Sequence, residues 1–150
     1  MVTYNLILSQ VFPSWHFHAG QPTRFIEQLR KTKLHTMRAN EALWRKRFEK
    51  INAGKAELSI RVWLGKPYRS KTMEIVRLGR DSGIGMQTLV FDTGLYGLHS
   101  LYRPVIDGNI VDPEKLAAND GLSFADWLSW FQNYDICKPL VVLQFTSFRY

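Results

Sequence analysis

The stretch Lys31–Asn40, KTKLHTMRAN, brings Lys33, His35, Thr36 and Arg38 close together in the chain. These side chains invite either acyl-transfer chemistry or anion recognition. A threonine hydroxyl attacks a carbonyl only when a base takes its proton. A lysine serves as that base once burial or a neighbouring cation lowers its pKa. An arginine supplies such a cation, or holds an oxyanion or phosphate. A carboxylate from elsewhere would return a proton to the leaving amine. The plainer reading is a polar strand, with Thr36 a β-former and Lys33 a solvated charge. Geometry discriminates: in a regular strand Lys33 and Thr36 point to opposite faces, whereas Thr36 and Arg38 share one. The two can meet only if the chain is still turning at Lys33. His35 faces away from Thr36 and reads as a packing or surface residue.

A second group lies further on. Arg61, Trp63, Lys66, Tyr68, Arg69 and Lys71 crowd a strand end and the loop after it. Arg61 and Trp63 share one strand face, opposite Ile60 and Val62. A cation beside an exposed ring suits phosphate contact with base stacking, and these residues are candidate nucleic-acid contacts together with Arg38. The structural alternative is a solubilising face with one partly buried tryptophan. The helix face carrying Arg45, Lys46, Arg47 and Lys50 reads as solvated.

His16 and His18 have the i, i+2 spacing of two metal ligands, but no third ligand stands nearby in the sequence, and no metal or cofactor is assigned. The single cysteine, Cys137, precludes an intrachain disulfide and is expected as a small buried hydrophobe. It is compatible with a reducing cytoplasm, the compartment expected for this chain. The N-terminal apolar run is too short for a signal peptide or a membrane span, and no other segment approaches membrane length.

The chain of 150 residues is 45% hydrophobic, enough for a real core and a single domain spanning residues 1–150. Twenty Lys and Arg against thirteen Asp and Glu give a net charge of +7, which favours phosphate-bearing partners. Tyr4 to Phe12 reads as a strand ended by Pro13. Pro22 to Lys31 carries Phe25, Ile26 and Leu29 at helical spacing, and Lys33–Arg38 follows as a short strand. Asn40 caps a helix over Glu41–Gly54 whose stripe is Leu43, Trp44, Phe48 and Ile51. Three strands follow: Ala56–Leu64, Lys71–Gly79 and Gly85–Asp92. The region 93–112 reads as a long loop or irregular insertion. A short helix over Pro113–Asp120 precedes a stronger one from Ser123 to Tyr134, with Ser123 and Asp126 in a capping-box pattern. Lys138–Phe148 is a final, central strand. This order predicts an α+β fold, with a curved or closed sheet and helices packed around it.

The helix leading into KTKLHTMR, the β-rich middle, and NDGLSFADWLSWF before a last strand together resemble the ASCH domain family, a branch of the PUA-like β-barrels, including bacterial and phage-associated members. The family motif is G-x-K-x-x-T-x-R. Lys33, Thr36 and Arg38 match its lysine, threonine and arginine, while Lys31 stands where the glycine falls. A weaker match puts Asp120, in DGLSF, at an acidic position before the late helix. The resemblance covers most of the chain but not residues 93–112. It implies a PUA-like mixed barrel and a cleft that binds RNA or a modified nucleotide. One bacterial branch instead hydrolyses acetylcytidine with a lysine, a threonine and a glutamate. That role carries over to Lys33, Thr36 and Asp120, the last one methylene shorter than glutamate. The expectation is an RNA- or modified-nucleotide-binding domain. The alternatives are a metal-free amidohydrolase on an acylated nucleoside, and a protein-interaction module that kept the fold and lost the cleft. Oligomeric state is left open.

Overall fold

The computed structural model describes residues 1–92 and 101–150. They form an α+β fold of two sheets and four α-helices. The first sheet has the order β1 (Val2–Ile7), β3 (Ala56–Trp63), β4 (Thr72–Leu78), with β1 parallel and β4 antiparallel to β3. The second is wholly antiparallel. Its order is β2 (His35–Arg38), β8 (Leu140–Gln144), β5 (Gly85–Phe91), β6 (Pro104–Ile106), β7 (Asn109–Ile110). Among the described residues the ladders make two sheets and not one closed ring.

The strand LVVLQ is buried at every position and lies between β2 and β5, as its unbroken apolar run requires. Helix α2 (Glu41–Asn52) packs on β3 of one sheet and on β5 and β8 of the other. Its Trp44, Phe48 and Ile51 are buried, but Leu43 is exposed, so the stripe is narrower than its spacing predicts. Asn40 Oδ1 accepts from the Leu43 N–H, and Gly54 ends the helix at φ 72°. One cluster of buried side chains, including Met37, Ile60, Leu89, Trp127 and Val142, runs beneath both sheets.

Several boundaries differ from expectation. Strand β1 ends at Ile7, and Gln10 to Pro22 is a loop folded back on itself through Phe12 N–H to Gln21 O. Helix α1 keeps only Phe25–Gln28, because Leu29 turns extended and Arg30 is left-handed at φ 63°. Of the expected insertion, residues 93–100 lie outside the described ones, while Pro104–Ile110 is a β-hairpin turning at Asp107–Gly108. Cys137 is exposed, outside the core expected to hold it. Helices α3 (Pro113–Asn119) and α4 (Phe124–Phe131) begin where the sequence places them, capped by Asp112 and Ser123. No helix among the described residues is long and apolar enough to cross a membrane.

Candidate functional site

The chain is still turning at Lys33. The N–H groups of Lys31, Thr32 and Lys33 all donate to Gln28 O, and Arg30 N–H donates to Lys33 O. The left-handed residue of this turn is Arg30, and Lys31 keeps negative φ, so a non-glycine residue at 31 costs the turn nothing. Strand β2 starts only at His35. Lys33 therefore escapes strand alternation and lines the same cavity as Thr36 and Arg38.

Asp120 reaches that cavity from helix α3. Leu34 N–H donates to Asn119 O at 2.7 Å, which docks the helix end against the turn. The helix stops there because Gly121 adopts φ 81°, a conformation glycine takes without strain. A Cβ on Gly121 would lie 3.1 Å from the Lys33 Cβ and 3.0 Å from Gln28 Oε1, so glycine also permits the close approach. Lys33 Nζ then donates to Asp120 Oδ1 at 2.8 Å and to Asp120 O at 2.7 Å. Its ammonium lies 3.9 Å from the centre of the Phe25 ring. Both partners are buried. Burial lowers the Lys33 pKa, and the Asp120 charge opposes that shift. Burial raises the Asp120 pKa, against the Lys33 charge. Both shifts lean toward the neutral forms.

Arg38 forms the other half of the floor. Its guanidinium donates to Thr36 Oγ1 at 3.0 Å, Met37 O at 3.0 Å and Ile7 O at 2.7 Å. The last bond ties strand β2 to the end of strand β1. All three acceptors are neutral oxygens, and two of the five N–H groups of this side chain have no hydrogen-bond partner among the described residues. Thr36 accepts from Arg38 and keeps its own proton to give.

The cavity has a volume of about 410 Å³. Four of the five tryptophans line it, Trp15, Trp44, Trp63 and Trp130, along with Tyr68 and Tyr134. They come from distant parts of the chain. Trp15 is held where its indole N–H donates to Trp130 O at 3.2 Å, and Tyr68 lies 5.4 Å from Trp63, ring centre to ring centre, at the rim. Of the expected contacts, Trp63, Tyr68 and Arg38 belong to the cavity. Lys66, Arg69 and Lys71 are exposed on the loop beside it and do not line it.

Arg61 is not a free cation. It donates to Thr72 Oγ1, Thr72 O and Ser59 Oγ, and it lies 3.6 Å from Glu74. A bulge between Ile60 and Arg61 shifts the pairing of β3 with β4 at this point. The reach of Trp44, Trp130 and Tyr134 into the cavity had no local signal, since each sits at a helical packing spacing or just beyond one.

His16 and His18 do find a third partner in space, Asp126 of α4, with candidate ligand atoms all within 4.8 Å. Their hydrogen bonds are already those of a structural pin. His16 Nε2–H donates to Asp126 O at 2.8 Å, its Nδ1 accepts from His18 N–H at 2.9 Å, and the His18 ring meets Asp126 Oδ1 at 2.7 Å. Both nitrogens of His16 are spent, and the trio fastens the Trp15 loop to α4.

Comparison of the chain with protein-family models, curated proteins and solved structures found no match.

Proposed function

We propose that the cavity receives a nucleobase, either one base of a single-stranded RNA or a modified nucleotide, and that the fold is an ASCH-like member of the PUA-like barrels with its two sheets as the halves. The observation that carries this reading is the meeting of the Arg38 guanidinium and the Lys33–Asp120 pair with an indole- and phenol-lined wall in one cavity of nucleoside size. Aromatic faces hold a base by stacking, and the unspent N–H groups of Arg38 suit a carbonyl or phosphate oxygen. The exposed cations Lys66, Arg69 and Lys71 stand at the rim, where flanking phosphates would pass. Tryptophan fluorescence tests it directly, because four indoles line the cavity: cytidine 5′-monophosphate and a short single-stranded RNA should each quench saturably. Absence of quenching by both would refute it.

A second reading is favoured by one specific arrangement. Lys33, Thr36 and Asp120 all border the cavity, and Lys33 is buried beside a carboxylate. That is the part list of a metal-free amidohydrolase for an acylated nucleoside such as acetylcytidine. Against it, Lys33 is hydrogen-bonded to Asp120, and Thr36 to Arg38. Threonine attack would need Lys33 to turn from Asp120 to Thr36 as substrate enters. Release of cytidine from acetylcytidine, abolished by Thr36→Val, would establish this activity. No release by the parent chain or by Asp120→Glu would leave binding alone.

A further inference from the structure

Two buried side-chain atoms of the described residues lack a hydrogen-bond partner, His35 Nδ1 and Gln144 Oε1. A buried unpaired donor calls for an explanation. The ring of His35 is fully buried behind the cavity floor, and its other nitrogen, Nε2, lies 2.6 Å from the Tyr150 hydroxyl. Asn119 Nδ2 donates to that same hydroxyl oxygen at 3.1 Å. The phenol proton then has Nε2 as its acceptor among the described residues. Pairing that proton with Nε2 favours the Nδ1–H tautomer, because a nitrogen that accepts carries no proton. In that tautomer the orphan is a donor. It stands 3.9 Å from Asp120 Oδ1, the same oxygen that takes the Lys33 ammonium.

We infer that His35 is a second seat for the Asp120 carboxylate, a positioning residue that holds Asp120 when a ligand in the cavity draws Lys33 away. A movement of about 1 Å brings Oδ1 within hydrogen-bond distance of Nδ1–H. The carboxylate would then exchange one buried donor for another and would at no point be left bare, which is the costly alternative for a buried charge. Tyr150, through Nε2, and Asn119, through Tyr150, set the tautomer that makes the exchange possible. Burial and the nearby Lys33 charge hold His35 well below its ordinary pKa, so the seat is a neutral donor. The ligand-bound half of the inference rests on reading the cavity as the ligand site; the tautomer and the exchange do not.

The test is nitrogen-15 NMR of the histidine rings in the full chain, with His35→Gln identifying the signals. In the parent, His35 should show a protonated Nδ1 and an unprotonated Nε2. Lys33→Met removes the competing donor, so the Nδ1 proton should move downfield as it bonds Asp120. Tyr150→Phe should abolish the tautomer preference, and it keeps the test decisive should Lys33→Met not fold. An Nε2–H tautomer in the parent, an unmoved Nδ1 proton in folded Lys33→Met, or an unchanged tautomer in Tyr150→Phe would each overturn the inference. Cytidine 5′-monophosphate added to the parent separates the two claims. Binding with a downfield shift of Nδ1–H supports both, and binding without it overturns the inference alone. A shift in Lys33→Met with no binding by the parent supports the second seat and refutes the nucleotide reading.

Discussion

Lys33 and Asp120 are the residues whose burial most constrains the site. Removing one partner strands the other's charge in the interior, which costs about 3–5 kcal/mol for a buried pair. With His35 Nδ1–H to receive the Asp120 carboxylate, Lys33→Met should lose less than that in a urea titration, but more than Thr36→Val, which keeps the β-branched shape. A loss in Lys33→Met no larger than in Thr36→Val would mean the pair does not hold the turn. His35 gives the pH dependence. Its folded pKa lies well below the ordinary 6.5, so the unfolded chain takes up a proton that the folded chain refuses. Its contribution is fully present above 6.5 and falls on acidification toward the folded value, by up to about 1.4 kcal/mol per pH unit. Urea titrations of the parent and His35→Gln at pH 7.5 and 5.5 should show a smaller acid loss in the variant. Equal losses would place a charged His35 in the folded state. The types Lys33, Thr36 and Arg38 were legible in the sequence. The confinement of His35 by Tyr150 was not, because the contact joins residues far apart in the chain.

The elements reveal where local signals suffice. Asn40 and Ser123 mark helix starts by their own side chains, and each accepts the expected N–H, while Asp112, at the end of a stretch that reads as irregular, caps α3 in the same way. Helix α1 shows the opposite. Phe25, Ile26 and Leu29 have helical spacing, yet the turn that seats Lys33 takes over at Leu29 and halts the helix. Tertiary demand thus overrides a periodic pattern. Gly121 is the element-scale pivot, with its positive φ and its contact with Lys33. Gly121→Ala should cost about 1–2 kcal/mol from the left-handed backbone alone, and it should weaken ligand binding by displacing Lys33. Gly108, at φ 82° with open space around it, offers the control: Gly108→Ala should cost stability but leave binding intact. Equal binding losses in the two variants would deny the pivot.

At the scale of the whole molecule, the α+β class followed from the order of elements, and the division into two sheets did not. Strand partners are chosen by long-range packing, and β1 pairs in parallel with β3 although α1, β2 and α2 lie between them. The net charge of +7 is likewise only a total. Its use depends on which cations are spent, and Arg61 is spent on Thr72 and Glu74 while Lys66 and Arg69 are exposed on the loop beside the cavity. Lys66→Ala and Arg69→Ala should each lower the slope of RNA affinity against salt by about one. Arg61→Ala should leave that slope nearly unchanged and instead loosen the β3–β4 pair. A slope change confined to Arg61→Ala would reverse this assignment.

The most direct test of the nucleobase cavity is calorimetric titration of a short single-stranded RNA into the parent and Trp63→Ala at low salt, with thermal melts of both. Trp63 lines the cavity beside Tyr68 and is not fully buried, so it should contribute by stacking more than by core packing. The parent should bind saturably and Trp63→Ala should lose about 1–3 kcal/mol, with little change in melting temperature. Absence of binding by the parent, or equal affinity in a folded Trp63→Ala, would contradict the nucleobase reading.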